Sequence, residues 1–88
     1  MKISGAVIQT KNIKTNTEIT FHATYKGMTI YVSTDHGFGK AKYDHLKRYY
    51  IEVSNNKNGL FDVDTWEDCH TMKDAIRYAL KGACLIPS

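Results

Sequence analysis

Between Thr17 and Thr34 the chain alternates. Ile19, Phe21, Ala23 and Tyr25 are interleaved with Glu18, Thr20, His22 and Thr24, and Met28, Ile30 and Val32 with Thr29, Tyr31 and Ser33. A period of two marks strands with one buried face. Lys26-Gly27 separates the two runs and predicts a two-residue turn. That turn sets Tyr25 against Met28, Ala23 against Ile30 and Phe21 against Val32 on the apolar side. Thr24 then faces Thr29, and His22 faces Tyr31, on the other side.

A second alternation runs through Tyr49, Ile51 and Val53, is interrupted by Asn55-Asn56-Lys57-Asn58-Gly59, and resumes from Leu60 to Trp66. The interruption is dense in turn formers and predicts a hairpin. A five-residue loop puts Val53 opposite Phe61 and Ile51 opposite Val63, whereas a two-residue Asn58-Gly59 turn sets Val53 against Asp64 and scrambles the faces. The longer loop is therefore expected, at the cost of a like-charge pair, Glu52 opposite Asp62.

Ile3 to Ile13, with Ala6-Val7-Ile8 and no helix cap, reads as a further strand. Asp35 to His45, around Gly37-Phe38-Gly39, reads as an exposed loop or a single helical turn. Met72, Ala75, Ile76, Ala79 and Leu80 change the period to that of a helix, over Met72 to Lys81. Thr71 is its expected N-cap, Asp74 suits the positive end of the dipole, and Gly82 is the expected stop. Ala83 to Ile86 reads as a final extended stretch. The fold class is α+β: an antiparallel sheet of about four to five strands, built on two hairpins, with one C-terminal amphipathic helix packed on one face.

Composition agrees with this picture. At 88 residues the chain is expected to be a single domain spanning residues 1–88. Hydrophobic residues make up 42% and charged residues 24%, enough for a core and unlike a disordered segment. No apolar run reaches the roughly 18 residues of a membrane span, and Met1 to Gln9 lacks the pattern of a signal peptide, so a cytoplasmic location is expected. Cys69 and Cys84 are too few for a disulfide framework and are expected to be free thiols.

The net charge of +3 is unevenly spread: residues 1–48 carry eight Lys or Arg against three acids, and residues 49–88 carry four against six. Such a split marks either an anionic-partner surface or complementary strands within one fold.

Candidate chemistry is thin. His22, His36, His45, His70, Cys69 and Cys84 supply donor atoms for zinc but no Cys-x-x-Cys or His-x-x-x-His spacing, so no metal is expected. Cys69 precedes the helix N-terminus, the one place where the dipole favours a thiolate. Asp62 and Asp64 share a strand face and allow a small metal-dependent hydrolase, the least favoured reading, because a hydrolase of this size is unusual, no second cluster supports it, and a solvated outer face explains the pair. Gly37-Phe38-Gly39-Lys40 lacks the spacing of a phosphate loop, and Ala41 stands where Ser or Thr is needed. No cofactor and no catalytic residue are expected.

The positive case is for binding. Lys40, Lys42, Lys47 and Arg48 are interleaved with Phe38, Tyr43, Tyr49 and Tyr50, the mixture of cations and rings used by single-strand binders. Extending the expected ladder sets Lys47 opposite Glu67 and Tyr50 opposite Asp64, which neutralises part of that charge internally. Tyr and Arg are also enriched at protein interfaces. Tyr31, Lys40, Lys42, Tyr43, Lys47, Arg48 and Tyr50 form one candidate surface. Lys73, Arg77 and Lys81, in a row on the exposed side of the helix, form a second.

In its size, its hairpin meander from Thr17 to Trp66, and its single helix Thr71-Met72-Lys73-Asp74-Ala75-Ile76-Arg77-Tyr78-Ala79-Leu80, the chain resembles the small anti-defence proteins of bacteriophages and mobile elements, anti-CRISPR proteins among them. The resemblance covers the whole chain as a general appearance and assigns no residue a role. It implies inhibition by stoichiometric docking on a host protein or nucleoprotein complex. The expectation is a non-enzymatic binding module, monomeric or a small homo-oligomer. Direct binding of RNA or single-stranded DNA is the alternative.

Overall fold

The computed structural model of the chain describes residues 1–14, 20–34 and 46–86. Its elements in chain order are β1 (Lys2–Ile3), β2 (Ala6–Val7), β3 (Thr20–Tyr25), β4 (Met28–Ser33), β5 (Lys47–Asn55), β6 (Phe61–Cys69) and the helix α1 (Met72–Gly82). β3, β4, β5 and β6 form one antiparallel sheet in sequential order, and β1 pairs with β2 in a separate ribbon. The helix packs on β4, β5 and β6, so the α+β architecture is the expected one.

In the first hairpin every pair from Thr20–Ser33 to Tyr25–Met28 falls in the expected register. Lys26 and Gly27 both have positive φ, 50° and 77°, the mirror-image turn whose twist matches that of the flanking strands.

The second hairpin departs from expectation by two residues. Val53 faces Val63 rather than Phe61, Ile51 faces Thr65 rather than Val63, and Glu52 faces Asp64 rather than Asp62. Two one-residue effects add. The loop closes at Asn55, whose N–H donates to the Leu60 carbonyl at 2.8 Å, leaving Asn56–Gly59 between them. A register break between Val53 and Ser54 then leaves Asp62 as an extra residue in β6. The shorter loop alone flips β6 over, and the bulge flips it back, so Val63 reaches the core.

The N-terminal segment is not a fifth strand of the sheet. Ser4 and Gly5, with φ of 48° and 91°, reverse the chain between β1 and β2, and a short 3-10 turn follows at Thr10–Asn12. The ribbon still contributes Ile3, Ala6 and Ile8 to the single core, with Phe21, Ile30, Val32, Ile51, Val53 and, from the helix, Ala75, Ile76, Ala79 and Leu80.

α1 begins where expected, with Thr71 Oγ1 accepting the Asp74 N–H at 3.2 Å. It ends differently. Gly82 is its last helical residue, and the left-handed position is Cys84, with φ 58°. The Leu85 N–H donates to the Leu80 carbonyl and the Cys84 N–H to the Lys81 carbonyl, so the closing stretch is a Schellman turn rather than an extended segment. Gly82 is explained by packing instead: a Cβ there lies 2.9 Å from Val63 Cγ2.

Candidate functional site

The alternation that buries Phe21, Ile30, Ile51 and Val63 against the helix and ribbon turns His22, Tyr31, Tyr50 and Trp66 to the opposite face. There the rings form a row across all four strands. His22 and Tyr31 centroids are 6.2 Å apart, Tyr31 and Tyr50 are 6.2 Å apart, and Tyr50 and Trp66 are 5.1 Å apart, each pair tilted or edge-on. Such pairs add to the energy of burial and hold each other's orientation. Among the described residues no helix packs on this face.

Polar groups fix the row. Tyr50 Oη lies 2.7 Å from Glu52 Oε2 and 2.8 Å from Asp64 Oδ1. Glu52 and Asp64 are direct cross-strand partners, a like-charge pair that is unfavourable alone. The phenol supplies the donor that the two carboxylates share. The bond to Glu52 foremost, then burial and the bond to Asp64, holds the Tyr50 pKa well above the ordinary tyrosine value. Next along β5, Arg48 Nε donates to Asp68 Oδ1 at 3.1 Å.

Of the residues expected to bind, Tyr31, Arg48 and Tyr50 lie together on this face. Lys47 does not join them. It stands opposite Cys69 rather than Glu67, on the side shared with Tyr49. Tyr50 stands opposite Trp66 rather than Asp64, although its hydroxyl still reaches Asp64 diagonally. Lys40, Lys42 and Tyr43 lie outside the described residues, as do His36, His45 and the Gly37-Phe38-Gly39-Lys40 stretch. His22 and Trp66 were not among the expected binding residues. The His22–Tyr31 pairing already put one of them on this face, while Trp66 depended on the register of the second hairpin.

The helix surface is less uniform than its row of cations suggests. Lys73 and Lys81 are exposed. Arg77 is tied down: its Nε donates to Ser4 Oγ at 2.6 Å and its Nη1 to Asp74 Oδ1 at 2.7 Å, so it pins the helix to the N-terminal ribbon. The neighbouring Glu67 carboxylate, with burial and Cys69, raises the Tyr78 pKa.

Cys69 is not activated. Burial raises its thiol pKa, and the negative charges of Asp74, Glu67 and Asp68 raise it further. The expected helix-end effect is overcome by burial first, and then by Asp74, which already occupies the positive end of the dipole. Among the described residues no three His, Cys, Asp or Glu side chains converge to hold a metal ion. No helix among them is long and apolar enough to cross a membrane. No protein-family profile, no curated protein and no solved structure matches the chain.

Proposed function

We propose that the chain is a non-enzymatic binding module that docks on a protein or nucleoprotein complex as an inhibitor or accessory factor, through the sheet face opposite its helix. The observation that carries this reading is the ring row His22–Tyr31–Tyr50–Trp66, held in place by Glu52, Asp64 and neighbouring strands. Rings already fixed in the free protein lose little conformational freedom on binding, which is what makes Tyr and Trp effective interface anchors. The resemblance to phage anti-defence proteins supports the same class of action.

Charge supports a protein rather than a nucleic acid as the partner of this face. Among the described strands it carries Glu52, Asp64 and Asp68 against Arg48, and Arg48 is paired with Asp68. A phosphodiester chain laid against these described groups meets net negative charge, whereas stacking binders place cations beside their rings. RNA or single-stranded DNA binding is the second reading. The exposed, cationic Lys73 and Lys81 on the helix favour it, since neither makes an ion pair among the described residues.

Affinity capture from nuclease-treated host extract, with the unaltered chain and with Tyr31→Ala/Trp66→Ala, tests the docking reading. The expected result is one protein complex in fixed ratio, retained at raised salt and lost with the double variant. A labelled single-stranded oligonucleotide shifted by the unaltered chain and released by Lys73→Ala/Lys81→Ala gives priority to the nucleic-acid reading.

A further inference from the structure

The two edges of the sheet are finished differently. On the outer side of β3, Ile13 bridges to Ala23 and the Lys14 N–H donates to the His22 carbonyl at 2.7 Å, so that edge is partly covered by the chain itself. β6 is the other edge. Among the described residues, its stretch from Phe61 to Thr65 pairs with β5 and makes no backbone hydrogen bond on its other side. An edge of this kind is a template for an added strand, and natural sheets usually cover, bulge or charge it; here the bulge and the carboxylates of Asp62 and Asp64 act against indiscriminate pairing and leave a strand of opposite charge as the one that fits.

The side chains around this stretch define what fits. Leu60 and Phe61 are 64% and 56% exposed, the two most exposed large apolar residues of the described chain. Asp62 and Asp64 beside them are exposed, and neither meets a cation within ion-pair distance among the described residues. β6 contains Asp62, Asp64, Glu67 and Asp68 and no Lys or Arg. A second copy added antiparallel, β6 against β6, opposes carboxylates to carboxylates, so the sequence disfavours self-pairing. A strand carrying alternate Lys or Arg meets opposite charge at Asp62 and Asp64, and one of the consecutive pair Leu60 and Phe61 flanks its apolar face.

From this asymmetry we infer that the Leu60–Thr65 edge of β6 takes up an extended, cationic segment of a partner protein as an added antiparallel strand. Main-chain hydrogen bonds supply affinity in such strand addition, and the flanking side chains supply selectivity. The inference rests on the binding-module reading but names a different surface from the ring row, so the two can fail separately.

The probes are two synthetic peptides of equal length, one alternating Lys with Val and one alternating Glu with Val. They are titrated into the isotopically labelled full chain at low salt. The Lys peptide is expected to bind and to slow amide exchange within residues 60–65, while the Glu peptide leaves exchange unchanged. Asp62→Lys, at an exposed bulge position, is expected to leave the unfolding midpoint of the free chain little changed and to weaken the Lys peptide about tenfold. Phe61→Ser is expected to weaken it without altering the charge preference.

Equal binding of both peptides overturns the inference, as does protection confined to residues outside 60–65. A free chain already dimeric, with those amides protected, also overturns it, because the edge is then occupied by a second copy. In each of these cases capture of a protein complex through Tyr31 and Trp66 is unaffected, which separates failure of the edge from failure of the docking reading.

Discussion

Gly82 and Val63 are fitted to each other: a β-carbon on Gly82 lies 2.9 Å from Val63 Cγ2. Val63 is β-branched and stands in a strand, so its methyl group has little freedom to retreat. Ala is the better helix former by about 1 kcal/mol, but overpacking costs about 1–3 kcal/mol. Gly82→Ala is therefore expected to lower stability by about 1 kcal/mol in urea unfolding. In a Val63→Ala background the same substitution is expected to be neutral or stabilising.

Cys84 occupies the left-handed position of the helix-terminal turn, where a β-carbon is penalised by about 1–2 kcal/mol. Cys84→Gly relieves that penalty and is expected to raise stability by about 1 kcal/mol. Cys84→Val, branched at the same position, is expected to lower it. Unfolding midpoints of the three proteins under reducing conditions give the order directly.

The shared phenol of Tyr50 makes a different demand. Tyr50→Phe removes the donor between Glu52 and Asp64 and leaves two facing carboxylates, with an expected loss of about 1.5–3 kcal/mol, the range for hydrogen bonds to charged groups. Adding Glu52→Gln removes the repulsion and is expected to recover part of the loss. A double-mutant cycle that shows no coupling between positions 50 and 52 argues against the shared hydrogen bond.

These side chains also set a pH dependence. Tyr49, raised chiefly by burial, and Tyr50, raised chiefly by its bond to Glu52, hold their protons in the fold at pH values where the unfolded chain releases them. Their contribution is complete below the unfolded tyrosine pKa of about 10 and is lost as pH rises beyond it, with a slope of about 1.4 kcal/mol per pH unit for each proton. Cys69, also raised, starts the decline nearer pH 8.5. Urea unfolding from pH 7 to 11 is expected to show this alkaline loss, shallower in Tyr50→Phe.

The first hairpin and the helix were legible because each rests on a single local signal. Lys26-Gly27 has only one way to join its flanking alternations with the apolar residues on one side, and Thr71 with the spacing from Met72 to Leu80 marks a helix. The second hairpin needed two facts that alternation does not carry, the loop closure at Asn55–Leu60 and the bulge at Asp62. Because their effects add to two residues, the faces came out right and the partners wrong. That hid the Tyr50–Trp66 contact and left Lys47 matched to Glu67. The pairing inside the N-terminal segment depended on Ser4 and Gly5 taking positive φ, a conformation that Ser seldom adopts. Of the two partners of Arg77, Asp74 lies one helical turn away and was legible from spacing, whereas Ser4, 73 positions earlier, was not.

That last bond bears on the order in which the molecule is assembled. The β1–β2 ribbon finds its place partly against α1, through Arg77 and through packing of β1 on the helix. A chain emerging from the ribosome makes the ribbon first and the helix much later, so the ribbon's Ile3, Ala6 and Ile8 wait for a surface that has not yet been synthesised. The strands of the sheet pair in sequential order, so their register depends on contacts made earlier in synthesis than the helix. Docking of the ribbon is therefore expected to be the closing event of folding, after translation has passed Arg77.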